Sequence, residues 1–322
     1  MKRILVTGIG GNVGQGIVRN VRNIQGEEFY IVGTNTEAVS AGNYLCDKVY
    51  AVPFAFDEAF IPKMLEICVL EQIELILPST DYETYYLGSN KNILPFVACS
   101  DGHISHVFLD KYRTYQRFAE LGIPFAESIL PSEYNGQFES CIVKPREGRG
   151  SRNLFLNPEN VASFGDEYVV QPLYKGVEIT TAFYVLQTGE NIGHITFERE
   201  LSSGATSKCE VTTKYNAWVE DTIAKIITGL NMTGPCNIQS IVTESGEIYP
   251  FEINGRFSGT NSIRAQFGFE DIRYAVEEFI LNIKPQKPVI KKGSAMRILL
   301  DVIYPDTPLS EIKDANTPHF LF

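Results

Sequence analysis

The first hundred residues alternate between short apolar runs and amphipathic segments in a way that leaves few folds open. RILVTG leads into the glycine turn IGGNVGQG and then into IVRNVRN: a strand, a turn and a helix in succession. FYIVGTN reads as a second strand, KVYAVP as a third, EAFIPKMLEICVLEQ as a helix and ELILPST as a further strand. Strands that alternate with helices pair in parallel, with the helices covering the sheet. Residues 1–105 are therefore expected to form an α/β, Rossmann-like domain built on a parallel sheet.

Beyond residue 105 the pattern changes. A helix across LDKYRTYQRFAELG ends at Gly122, Ile123 and Pro124, a helix-stop signal. Strands with hairpin turns then dominate: SCIVKP, EYVVQPL, EITTAFYVLQTGENIGHITFER and CNIQSIVTESGEIYPFEIN, with one helix near YNAWVEDTIAKIITGL. This is an α+β pattern, so two architectures are joined in one chain. The segment AMRILLDVIY near the end reads as a strand that completes a sheet.

Charge and cysteine usage narrow the function classes. The 322 residues carry a net charge of −11, which argues against a nucleic-acid partner, because phosphate-binding surfaces are normally basic. Cys46, Cys68, Cys99, Cys141, Cys209 and Cys236 form no CxxC pair and fit reduced, buried thiols. The N-terminal apolar run turns directly into glycines, and no run reaches the roughly 18 apolar residues of a membrane helix. A cytoplasmic protein with no membrane partner is expected. His103 and His106 share helical spacing, but His194 and His319 lie far off, so a zinc site is not expected.

The densest chemistry lies in the hairpin CNIQSIVTESGEIYPFEINGRFSG. Residues two apart on a strand share a face, so Glu252, Asn254 and Arg256 line up together. A symmetric turn on Ser245-Gly246 puts Gln239 opposite Glu252 and Asn237 opposite Asn254, with Ile238, Val242, Phe251 and Ile253 pointing to the core. One acid with several amide oxygens suits a hard cation such as Mg²⁺ (or Mn²⁺), whose charge is balanced mainly by a nucleotide. Arg256, one step further along, would meet a phosphate.

Two other segments add to this. CIVKPREGRGSRN places Lys144 at a strand end ahead of Gly148, Gly150 and Ser151. Such a loop suits phosphate oxygens, although it is not a Walker A motif, which has its lysine after the loop. In EYVVQPLYKGVEITTAFYV a strand runs into Gln171-Pro172-Leu173, whose bend could bind an adenine edge, and Glu178 follows where a carboxylate could accept ribose hydroxyls.

In this order, from Lys111 through Lys144, Glu178 and Gln239 to Arg256, the chain resembles the ATP-grasp superfamily, in particular carbamoyl-phosphate-synthase-like ligases. The resemblance rests on DKYRTYQRFAELGIP, VKPREGRGSRN, VVQPLYKGVE and above all GPCNIQSIVTESGEIYPFEINGRFSG, and it extends to about residue 285. It implies a two-subdomain ATP-grasp fold behind the N-terminal domain, with the small subdomain in 106–185 and the large one in 186–322. It also implies that Lys111 and Lys144 contact ATP phosphates beneath a loop at 147–152, that Gln171 and Leu173 flank the adenine, and that Glu178 holds the ribose. Gln239, Glu252 and Asn254 would hold Mg²⁺, and Arg256 and Lys144 would serve the transferred phosphoryl group. The implied reaction activates a small-molecule carboxylate as an acyl phosphate for attack by an amine or ammonia. Carbamoyl phosphate synthase has two such halves and this chain has room for one, so a stand-alone carboxylate–amine ligase, compatible with a homodimer, is the reading.

Two other classes stay open at this point. Gly8, Gly10 and Gly14 are spaced GxGxxxG, and Asn35 stands where a ribose-binding acid is expected, which weakens an NAD(P)-dependent oxidoreductase. A nucleotide-binding regulator without turnover is the second. Arg199, Lys208 and Arg264 are cations suited to a substrate carboxylate, although each reads more simply as solvated surface.

Overall fold

The structure is a computed structural model that describes residues 1–148 and 153–322. Its N-terminal sheet contains β1 (Lys2–Val6), β2 (Phe29–Asn35), β3 (Lys48–Ala51), β4 (Leu75–Leu77) and β5 (Phe96–Val97). All pairs are parallel, in the order β3-β2-β1-β4-β5. Successive β1 residues serve opposite faces. Ile4 and Val6 pack with Ile17, Val18 and Val21 of α1 (Asn12–Arg22), whereas Leu5 packs with Phe60, Met64 and Ile67 of α2 (Phe60–Glu71). Burial on both sides is what makes these strands continuously apolar. Two further helices, α3 (Asp81–Gly88) and α4 (Gly102–Leu109), lead out of this domain.

The helix α5 (Lys111–Glu120) precedes a three-stranded antiparallel sheet of β6 (Cys141–Pro145), β7 (Phe155–Leu156) and β8 (Tyr168–Pro172), ordered β7-β6-β8. The larger sheet holds β9 (Val177–Val185), β10 (Asn191–Ser202), β11 (Ala205–Thr212), β12 (Gly234–Val242), β13 (Ile248–Asn254) and β14 (Ser294–Met296). Its antiparallel order is β13-β12-β9-β10-β11-β14. Helix α6 (Asn216–Leu230) covers one face through Val219, Ile223 and Ile226 against Phe183, Ile238 and Ile253. On the other face, Phe257 and the helices α7 (Asn261–Gln266) and α8 (Asp271–Val276) share a core with α1. The two architectures are thus joined by continuous apolar packing.

Three sequence expectations are corrected here. The boundary at 185 assigns β9 to the small unit, but β9 lies between β12 and β10 in the large sheet. The boundary at 105 cuts α4, whose Ile104 and Phe108 belong to the α6 core. AMRILLDVIY is not one strand. Only Ser294–Met296 joins the large sheet, and Val302–Ile303 (β15) pairs instead with Phe320–Leu321 (β16). The tail then returns to the N-terminal domain, where Asn43 Nδ2 donates to the Lys313 carbonyl at 3.0 Å and the Ala315 N–H to the Cys46 carbonyl at 2.9 Å.

All six cysteines are free and buried, and burial pushes the Cys46, Cys68 and Cys99 thiols up to about 12, which suppresses thiolate chemistry at neutral pH. Among the described residues no helix is long and apolar enough to cross a membrane.

The glycine turn is packed tightly on itself, because a Cβ on Gly14 would lie 2.5 Å from the Gly8 carbonyl oxygen, a backbone atom with little room to yield. Alanine in a helix interior normally gains up to about 1 kcal/mol over glycine, whereas overpacking costs about 1–3 kcal/mol. Gly14→Ala is therefore expected to lower unfolding stability in a urea titration; an unchanged or raised stability would show that the turn relaxes freely.

Candidate active site

The β12–β13 hairpin delivers the central group, by a route that differs from the sequence reading. Gln239 faces Glu252 and Asn237 faces Asn254, as expected. The turn, however, is not the symmetric two-residue one. The Thr243 N–H donates to the Glu247 carbonyl at 2.9 Å, so three residues form the loop, with Gly246 at φ 85°. On its own this would shift every pair by one residue. A β-bulge between Gln239↔Glu252 and Ser240↔Pro250 takes up the extra residue, which is Phe251. Ile238, Ile253 and Val242 are buried as predicted, but Phe251 is not in the core: the bulge turns it into the cavity described next.

A cavity of about 230 Å³ lies between the two antiparallel sheets. It is lined by Lys111, Lys144, Gly148, Gln171, Leu173, Glu178, Gln239 and Glu252, together with Phe251 and Tyr174. Eight candidate residues scattered from 111 to 252 in sequence thus meet in one place. Gly150 and Ser151 lie outside the described residues.

The two lysines arrive from different elements that are locked to each other. Asp110 caps α5, accepting from the Tyr112 and Arg113 N–H groups at 2.9 and 3.3 Å, and also takes a forked pair of hydrogen bonds from Arg146, just past the end of β6. Burial alone would raise the Asp110 pKa, but the Arg146 bonds and charge, with the helix N–H groups, hold it below the usual value. This clasp places Lys111 beside Lys144, both buried. Lys144 Nζ donates to the Phe251 carbonyl at 3.1 Å and lies 5.0 Å from that ring's centre. Burial, with the charge on Lys111, pushes Lys144 down to about 7.

Glu252 has the opposite balance. Burial would raise its pKa, but Lys111, Lys144, a hydrogen bond from Asn254 and Arg256 together lower it, so the carboxylate stays charged. No ion pair within 4.0 Å joins it to either lysine among the described residues. The charges face one another across a gap that phosphates could fill.

The remaining candidates form a polar chain. Gln239 Nε2 donates to Asn254 Oδ1 at 3.0 Å, and Asn254 Nδ2 donates to Glu252 Oε1 at 3.1 Å. Arg199, expected at the surface, is only 10% exposed; it donates to Glu178 from Nε at 3.0 Å and to Gln239 Oε1 at 2.5 Å. Arg264 is buried against Asp271, whereas Lys208 is exposed and paired with Glu200 at 3.2 Å. At the Gln171–Leu173 bend, Gln171 Nε2 donates to Ser128 Oγ at 2.8 Å, and the rings of Tyr174 and Tyr249 stack 3.9 Å apart. The Leu173 N–H is taken by the Ser140 carbonyl at 2.9 Å, so any backbone bond from Leu173 to a base must use its carbonyl.

Two residues were missed in the sequence, Asp81 and Arg146, and Arg199 was read as more simply a surface residue. Arg256 donates to Asp81 Oδ2 at 2.8 Å, and Asp81 stands just past the carboxyl end of a parallel strand, a common place for site residues in such sheets. Arg146 and Arg199 carry no local signal, since their partners lie 36 and 21 residues away.

The donor set fits a hard divalent ion. Glu252 supplies a charged oxygen, and Gln239 and Asn254 can each turn an amide oxygen toward a cation by a half-turn of the terminal torsion. With one carboxylate in the set, phosphate oxygens would have to complete the shell.

Comparison with known proteins bears on the fold. A family model described as an ATP-grasp domain matches residues 108–260, and one described as a PylC-like N-terminal domain matches residues 4–95. Residues 108–260 are an ATP-grasp domain. Among solved structures, the chain is similar to the Staphylococcus aureus N5-carboxyaminoimidazole synthetase complexed with ADP, with 14% identity, 92% of this chain and 82% of that one covered, and a TM-score of 0.76. The biotin carboxylase domain of Hydrogenobacter thermophilus 2-oxoglutarate carboxylase gives 12% identity, coverage of 91% and 73%, and a TM-score of 0.71. For the Bacillus licheniformis L-amino acid ligase the values are 11%, 90% and 75%, and 0.66. At these identities the likeness is one of fold. No curated protein sequence matches.

The depressed Lys144 value has a measurable consequence. A lysine with a folded value near 7 and an ordinary value of 10.5 binds fewer protons folded than unfolded across that interval, so its contribution to stability rises with pH there. A bound phosphate favours the charged form. Titration calorimetry of Mg·ADP at pH 8 in two buffers of different ionisation enthalpy is therefore expected to show uptake of a fraction of a proton, lost in Lys144→Met. Equal proton uptake in both proteins would exclude Lys144 as the source.

Proposed function

We propose that this chain is an ATP-dependent carboxylate–amine ligase. The observation that carries the reading is the charged Glu252, set opposite Lys111 and Lys144 in a cavity that also contains the Gln171–Leu173 bend and Glu178. This arrangement is built for a nucleotide. The bend would receive the adenine, Glu178 the ribose hydroxyls, and the lysines the phosphates. Arg199 would keep Glu178 and Gln239 in place as a shared donor.

Glu252, with the amide oxygens of Gln239 and Asn254, would hold Mg²⁺, which screens phosphate charge when bound. Lys144 and Arg256 then stabilise the negative charge on the phosphoryl group as it passes to a carboxylate oxygen, giving ADP and an acyl phosphate. An amine attacks the acyl carbon, the bond to the phosphate oxygen breaks, and the amine proton leaves with water or a base. Six unpaired thiols suit a reducing, cytoplasmic setting.

Similar structures are described with bicarbonate in one case and as an L-amino acid ligase in another, so bicarbonate and amino acids are the first substrates to test. An ADP-release screen crosses these carboxylates with ammonia and amino-acid amines. ADP release that needs both partners together supports the ligase; Mg·ATP binding with no release across the whole panel would favour a regulator. Glu252→Ala is expected to lower turnover by about 10²-fold or more while leaving the circular dichroism spectrum unchanged. Wild-type rates from that variant would contradict the role given to Glu252.

A further inference from the structure

Asp81 belongs to the N-terminal domain, yet its carboxylate lies in the polar chain of the ATP-grasp site. Its Oδ2 accepts from Arg256 at 2.8 Å and its Oδ1 from Asn254 Nδ2 at 3.4 Å. Both side chains of the Asp81–Arg256 pair are only 12% exposed. Among the described residues Asp81 is the one carboxylate within 4.0 Å of Arg256. The other bond from the Arg256 guanidinium goes to the neighbouring Phe257 carbonyl at 3.0 Å, and its Nε is buried with no protein partner among the described residues. A long, flexible cation beside a phosphoryl group needs an external restraint, and Asp81 is the restraint present.

Asp81 is itself held rigidly. Thr80 caps α3, its Oγ1 accepting from the Glu83 N–H at 3.2 Å and donating to Glu83 Oε2 at 2.8 Å. Thr7 Oγ1, at the end of β1, donates to the same oxygen at 2.7 Å and accepts from the Ser79 N–H at 3.0 Å. Two neighbouring parallel strands therefore fix the first turn of α3, and with it the direction in which Asp81 points.

We propose that Asp81 is a positioning residue for phosphoryl transfer: anchored in the N-terminal domain, it aims the Arg256 guanidinium at the group being transferred. The inference rests on the ligase reading, in which Arg256 meets that group. A purely structural ion pair between domains would contribute to stability alone. Positioning also has to show when the transferred group is in place and the substrates are not.

The test uses Mg·ADP with aluminium fluoride as the probe, since the fluoride complex occupies the place of a transferred phosphoryl group without a carboxylate or an amine. Wild type, Asp81→Asn, Asp81→Glu and Arg256→Ala are compared for Mg·ADP affinity, for ADP retained in the presence of aluminium fluoride, and for melting temperature. Asp81→Asn is expected to bind Mg·ADP within about threefold of wild type but to lose aluminium-fluoride-dependent retention by about tenfold or more. Asp81→Glu should recover part of that loss. Retention equal to wild type in Asp81→Asn, with Arg256→Ala defective, overturns the role of Asp81 alone. A wild-type protein that binds Mg·ADP but gains no retention from aluminium fluoride overturns the phosphoryl-transfer reading, and the Asp81 proposal with it. A lower melting temperature in Asp81→Asn with full retention leaves a stability contact only and also overturns the proposal.

Discussion

The site depends on one carboxylate kept charged at a half-buried position in the cavity wall. Removing Glu252 from water raises its pKa, and the charged form survives because Lys111 and Lys144 face it from two other elements. Burial in turn disfavours the charged form of Lys144, and so does its neighbour Lys111. A carboxylate and a lysine so strained that it sheds its proton near neutrality, with no direct ion pair between them, would be a poor way to stabilise a fold, because desolvation penalties of this kind are usually answered by direct ion pairs. They make sense around a ligand that carries both signs, such as a polyphosphate with its metal.

Much of the rest of the molecule serves to bring those three groups together. The Asp110–Arg146 clasp joins α5 to the end of β6 and sets the spacing of the lysines. The bulge at Phe251 sets the register that puts Glu252 beside Gln239 and gives Lys144 a carbonyl to hold. Arg199 ties the β9 end of the cavity to β12 through Glu178 and Gln239. The N-terminal domain packs against the same centre through the shared core of α1, α7 and α8, and supplies Asp81.

What the sequence revealed divides along a physical line. Local periodicity and turn chemistry located the parallel sheet, the hairpin and its polar face, since both depend on neighbours a few residues apart. The pairing of Gln239 with Glu252 was read correctly through two departures that cancel: a loop one residue longer than assumed, and a bulge of one residue in β13. Phe251 shows the remainder, since it is the residue whose direction the bulge changes. The long-range contacts were hidden. Asp81 reads as an acid in the first turn of a helix, where it suits the helix dipole whether or not anything else is near. Arg199 sits on a strand whose alternation permits either face. Of the glycine loop, Gly148 lines the cavity, and Gly150 and Ser151 lie outside the described residues.

A crystal structure with Mg·ADP bound tests the account most directly. It should show the adenine against the Gln171–Leu173 bend, phosphates between Lys111 and Lys144, and the ion at about 2.1 Å from a Glu252 oxygen. Nucleotide bound at another place, or an ion held without Glu252, would contradict the assignment of this cavity.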